Sequence, residues 1–183
     1  MRNSIKNFKQ EILSLDIGAG ENPKGSINVD IRPLPTIDVV CHALYLPFRS
    51  EVFDKVFLKH VIEHFRYKDA FNLLRECNRV LRLKGEIEIW TPNFQALGVL
   101  KTWIFGNIDE RDPPMLATLL MGAQDYEENV HLSLWTLKLH QIYLERTGFR
   151  VVKVMGDSVL WILAKLLPNR CGNIGLIAVK VRP

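Results

Sequence analysis

The chain has 183 residues, 48% of them hydrophobic and 24% charged, with a net charge of +4. That length holds one domain with a substantial core, and that apolar fraction excludes a disordered chain. The basic excess is small, and residues 107–128 set six acidic side chains against Arg111, which favours a mildly basic solvated surface over a nucleic-acid footprint.

In chain order, residues 11–17 (EILSLDI) read as a strand that closes on a glycine turn. Residues 26–30 (SINVD), 37–41 (IDVVC) and 55–58 (KVFL) read as three more strands. A helix follows: Asp69 can cap its start, Ala70, Leu73, Leu74, Cys77, Val80 and Leu81 recur at helical spacing, and Gly85 follows the last turn. Residues 86–91 (EIEIWT) form a fifth strand, stopped by Pro92. Residues 94–130 fit neither period and contain Gly98, Gly106, Pro113, Pro114 and Gly122, so short helices forming a cover are expected. Thr136 caps a second helix through Leu139, Ile142 and Tyr143 to Gly148. Residues 150–155 and 175–181 are the last two strands, and residues 158–167 between them could form a short amphipathic helix. Their connection is too irregular for a secure helical crossover, so antiparallel pairing is plausible. The expected fold is a single α/β domain over 1–183: a Rossmann-like, seven-stranded, mostly parallel sheet with an antiparallel last strand.

The first strand ends in Asp16-Ile17-Gly18-Ala19-Gly20. Two glycines one residue apart let the backbone turn sharply and approach a ligand closely. The third glycine of a dinucleotide fingerprint is absent, since Glu21, Asn22 and Pro23 follow. Asp30 ends the second strand, where open α/β sheets bind ligands and where a carboxylate can accept both hydroxyls of a ribose. Six residues separate Gly20 from Ile27. They can span roughly 20 Å, enough to return along a short strand without a helix. The first crossover helix is therefore expected to be shortened to a loop. Without a helix N-terminus a phosphate-rich dinucleotide is disfavoured, and a zwitterionic tail held by backbone N–H groups and Asp16 suits the site better.

These segments, with Ile27-Asn28-Val29-Asp30, Leu46-Pro47-Phe48, Phe53-Asp54-Lys55-Val56, His60-Val61-Ile62-Glu63-His64, Arg79-Val80-Leu81 and Thr91-Pro92-Asn93, follow a recognisable order. The chain resembles the class I S-adenosylmethionine-dependent methyltransferases of the methyltransferase type 11 group. Within that group it looks most like small methyltransferases associated with glycan or cell-surface biosynthesis. The resemblance is strong over residues 11–93 and weaker to Phe149. It implies S-adenosylmethionine as cofactor and S-adenosylhomocysteine as product. It places Gly18, Ala19 and Gly20 under the methionine part, Asp16 near its ammonium and Asp30 on the ribose. Ile31 would face the adenine, His42 and Ala43 its edge, and Lys59 and His60 the methyl-donor side. The family commonly has Asp where this chain has His42, so the adenine contact changes character.

Methyl transfer from a sulfonium is a direct displacement, in which the protein mainly aligns donor and acceptor. A base is needed only for a protonated acceptor. His131 and His60 are the candidates. The expected acceptor is a small molecule or glycan. The alternatives are an RNA or protein acceptor, or a cofactor-binding subunit without catalysis. Three separated cysteines argue for reduced thiols in the cytoplasm, with no disulfide framework or metal site. The apolar run 159–167 is half of the ~20 residues a span needs and is broken by Lys165, so no membrane span is expected. About ten residues precede the first strand, so this minimal N-terminus predicts an open cofactor pocket or one closed by a second subunit, a homodimer.

Overall fold

The computed structural model describes residues 12–92, 121–156 and 173–183. Seven strands form one sheet: β1 (Ser14–Ile17), β2 (Ile27–Asp30), β3 (Val39–Val40), β4 (Phe53–Lys59), β5 (Leu81–Pro92), β6 (Phe149–Gly156) and β7 (Asn173–Lys180). Their order is β3-β2-β1-β4-β5-β7-β6. Strand β7 runs antiparallel to β5 and β6, and the other pairings are parallel. Two described helices, α1 (Tyr67–Val80) and α2 (Leu137–Arg146), pack against each other and against β5 and β6 respectively. This is the Rossmann-like α/β sheet with an antiparallel last strand that the sequence led us to expect.

Strand alternation explains the core. Cross-strand partners Ile27, Leu15, Val56, Ile87 and Ala178 lie in one row, and Val29, Ile17, Leu58, Ile89 and Leu176 in the next. Side chains two residues apart share a face, so both rows form one apolar layer. Helix α1 buries Ala70, Leu73, Leu74, Cys77 and Val80 in the same core. The opposite face carries Lys55, Phe57, Lys59 and Glu88. Lys55 Nζ lies 2.8 Å and Lys59 Nζ 3.6 Å from the Glu88 carboxylate.

Residues 18–26 join β1 to β2 with no helix, as the short spacing predicted. Ser26 donates its backbone N–H to Ser14 Oγ at 3.0 Å, and Lys24 donates its own to Asp16 Oδ2 at 2.7 Å. Gly25 lets the loop lie against the sheet, since a Cβ there would stand 2.6 Å from the Asp16 nitrogen.

Several expected boundaries move. The cap of α1 is Arg66, without a side-chain cap bond, and Asp69 lies in the first turn, where its charge suits the helix dipole. Strand β5 begins directly at Leu81, five residues earlier than expected. Backbone N–H groups of Glu51 and Val52 satisfy the Arg79 and Val80 carbonyls, so no glycine cap is needed and Gly85 sits within the strand. Thr136 does cap α2, accepting from the Leu139 N–H at 3.3 Å. The proposed cover up to residue 120 and the amphipathic stretch 158–167 lie outside the described residues.

Candidate cofactor site

A cavity of about 440 Å³ opens at the carboxyl ends of β1, β2 and β4. Its size is ordinary for a site that holds a small ligand. Gly18 forms part of the floor at φ +67, and a Cβ there would meet Val61 Cγ2 at 2.5 Å. Only glycine fits both conditions.

Asp30 defines one wall. It is 6% exposed and accepts from the Gly20 N–H at 3.0 Å, the Arg32 N–H at 2.9 Å and Arg32 Nε at 3.2 Å. Burial opposes its ionisation, but the donors of Arg32 and Gly20 outweigh it and hold the carboxyl below its ordinary value. The Arg32 guanidinium in turn lies 4.2 Å from the ring centroid of Tyr126. Tyr126, Glu127 and Glu128 bring the described end of the expected cover over this wall. Ile31 and Ala43 add apolar surface there.

His42 lines the same cavity and accepts the Leu44 N–H at Nδ1, 3.2 Å away. In the neutral ring the proton then sits on Nε2. His42 therefore faces outward as a donor, whereas an Asp in its place could only accept.

The opposite wall is built of histidine. His60 follows β4 in the left-handed region, at φ 56, held by its N–H to the Trp90 carbonyl at 2.8 Å. A non-glycine residue there marks local strain of the kind found at functional sites. Glu63 follows in the 3-10 turn Ile62–His64 and is fully buried. Its backbone carbonyl accepts from Leu132 and Ser133, which docks residues 130–133 onto the turn. That contact brings His131 to His64, with ring centroids 5.0 Å apart. His140 lies behind them, 1% exposed, with Nδ1 3.0 Å from the Thr136 carbonyl. Burial lowers its pKa to about 4, so the ring is neutral at physiological pH.

The cavity thus gathers Gly18, Asp30, Ile31, His42, Ala43 and His60 of the expected site. Asp16, Ala19, Gly20, Lys59 and His131 do not line it. Asp16 is 3% exposed and bonded to the crossover loop, and burial raises its carboxyl against the Lys24 hydrogen bond and the charge of Lys59. The N–H groups of Gly18 and Ala19 both point to the Val29 carbonyl, at 2.8 and 3.1 Å, and that of Gly20 to Asp30. The turn therefore spends its amides on the protein, contrary to the expectation that they would hold the tail of a ligand. Arg32, Tyr126 and Gly25 were missed. Arg32 was legible as a cation two residues past a strand-end Asp, but nothing local marked Tyr126.

A switch-point cavity with a glycine floor and a strand-end carboxylate defines an α/β protein built to hold a nucleoside-type cofactor. Residues 3–89 match the family model for a methyltransferase domain. A protein of Methanosarcina mazei described as a SAM-dependent methyltransferase superimposes with a TM-score of 0.64 at 15% identity, covering 100% of this chain and 99% of its own. A Burkholderia thailandensis 1,6-didemethyltoxoflavin-N1-methyltransferase, solved with that compound and S-adenosylhomocysteine, gives 0.62 at 12% identity, covering 94% and 72%. The chain carries the α/β fold of these S-adenosylmethionine-dependent methyltransferases, and the domain model matches just under half of it. An uncharacterised protein of Methanocaldococcus jannaschii is 27% identical over 155 residues, 79% of this chain. The chain spans 61% of the length of that relative. No described helix is long and apolar enough to cross a membrane.

Proposed function

We propose that this chain transfers the methyl group of S-adenosylmethionine to a small-molecule or glycan-type acceptor. The observation that carries the reading is Asp30, a buried carboxylate held ionised at the β2 edge of a glycine-floored cavity. It presents acceptors for ribose hydroxyls, while Ile31 and Ala43 offer apolar contact to adenine and His42 a donor to its edge. The cofactor supplies an activated methyl group, so the chain's task is alignment and exclusion of water. Asp16, Ala19 and Gly20 act by shaping the turn beneath the ligand, and Lys59 acts through its pair with Glu88.

For a protonated acceptor the base is His60. Its side chain is 48% exposed, it lines the cavity, and its Nδ1 stands 3.3 Å from Glu63 Oε1. His131 lies one layer back, against His64. The restricted cavity volume favours a small acceptor, as does the heterocycle bound by the Burkholderia thailandensis neighbour.

Calorimetric titration with S-adenosylhomocysteine tests this reading. Binding should be one to one, and Asp30→Ala should weaken it about 100-fold, the loss of one or two charge-assisted hydrogen bonds. No binding at millimolar ligand to folded protein overturns the proposal. Binding without methyl transfer to any acceptor in a broad screen would instead identify a cofactor-binding subunit.

A further inference from the structure

Glu63 is 0% exposed, yet neither carboxylate oxygen has a hydrogen-bond donor among the described residues. His60 Nδ1 reaches ion-pair range of Oε1, at 3.3 Å, without hydrogen-bond geometry. No described Lys or Arg pairs with it. A buried carboxylate without a counter-charge is strongly disfavoured, and the usual remedies are a cation, a metal or protonation.

The surroundings select among these. One ligand atom each from Glu63, His64 and His131 lies within 4.8 Å of the others. His64 donates Nδ1–H to the Val130 carbonyl at 3.1 Å, which leaves Nε2 with its lone pair. A histidine whose second nitrogen is anchored on a backbone carbonyl is the usual arrangement around a bound metal. His64 also lines the cavity, so open coordination positions would face the ligand.

We propose that Glu63, His64 and His131 form a binding site for a divalent transition-metal ion of the zinc class, just behind the histidine wall of the cofactor cavity, which His64 alone of the three lines. Two imidazoles and one carboxylate are borderline donors, which favour zinc, cobalt or iron(II) over magnesium and calcium. Closing the ligand atoms onto one ion needs a small contraction from 4.8 Å, and the ion supplies the positive charge that Glu63 lacks. Its other consequence is mechanical. His131 carries the segment that ends over the cavity, so the ion would staple residues 121–133 to the 3-10 turn. The sequence held no sign of this site, because its cysteines are scattered and its ligands are 67 residues apart. The site stands independently of the methyl-transfer reading.

The test uses the full chain, stripped with a chelator and titrated with Zn(II) and with Co(II). Stoichiometric binding should appear, with Co(II) giving the visible absorption bands of a bound ion. Zn(II) should shift the ring-nitrogen resonances of His64 and His131 and leave those of His42 in place. Glu63→Gln and His131→Ala should each weaken binding at least 100-fold. Three results overturn the proposal: no one-to-one binding to the folded chain, resonance shifts centred on His42, or affinity unchanged within twofold in both variants. The resonance shifts need no variant, so a misfolded mutant does not spare the idea. S-adenosylhomocysteine binding, measured in parallel, stands or falls separately.

Discussion

Asp30 lines one wall of the cavity and Glu63 is buried behind the other, between the lining residues His60 and His64, and both are withdrawn from solvent. Asp30 is surrounded by donors from Gly20 and Arg32, and its guanidinium partner is itself stacked on Tyr126. Glu63 is deeper, yet its neighbours are histidines, and the nearest has no hydrogen-bond geometry to it. The β2 wall is electrostatically closed by the protein. The histidine wall is closed only if something else supplies charge. A carboxylate that the chain satisfies itself has a structural or ligand-orienting role, whereas one left without donors points to a group the chain expects to receive.

The largest expected effect separates the walls by acid. The pKa of His140 is depressed to about 4 from an ordinary 6.5, so the unfolded chain binds the extra proton first. Stability is then complete above pH 6.5 and falls between 6.5 and 4, by about 3 kcal/mol at 1.36 kcal/mol per unit. Asp30 has a lowered pKa, so its contribution is present above 3.8 and is lost only below that. Urea unfolding from pH 7 to 4 should show the His140 slope, and His140→Phe should flatten it. An unchanged slope in that variant would mean the histidine wall is not what acid attacks.

Next in size is Glu63→Leu in chelator-treated protein. It removes an unsatisfied buried carboxylate and keeps the volume, so stability should rise by about 2 kcal/mol, while Asp30→Leu should lower it. Equal losses from both, read as urea midpoints, would erase the contrast between the walls.

Gly18→Ala probes the floor that joins them. The new Cβ meets Val61 and the backbone keeps φ +67, so we expect about 1–2 kcal/mol of destabilisation and weaker S-adenosylhomocysteine binding. Normal affinity in calorimetry would show that Val61 yields freely.

The smallest effect belongs to Arg32→Ala. Its guanidinium is partly exposed, so the lost stacking and hydrogen bonds amount to about 1 kcal/mol. The Asp30 carboxyl should titrate higher, and NMR of its carboxyl carbon would register the change. No movement would show that the backbone N–H groups of residues 20 and 32 hold Asp30 ionised without the guanidinium.

Much of the first wall was legible because its parts are local. Gly18, Gly20 and Asp30 announce themselves through a turn and a strand end, and the six residues before Ile27 force a loop crossover. What was not legible is how the turn's amides are used. Val29 and Asp30 take them, because a short loop leaves the glycines pressed against the neighbouring strand. His42 shows the same limit: its identity was plain, but its tautomer depends on the Leu44 N–H. The helix boundaries shifted for a related reason, since residues 51 and 52 cap α1 from outside it.

By itself, then, the sequence determined the alternation of strands, the two helices and the carboxylate at the end of β2, all set by periods of two or 3.6 residues and by steric freedom at glycine. Only the tertiary structure decided that Glu63, His64 and His131 meet. They come together because Leu132 and Ser133 hydrogen-bond to the Glu63 carbonyl some 70 residues earlier in the chain. A contact at that separation leaves no local pattern, since it depends on which buried backbone groups the fold must satisfy.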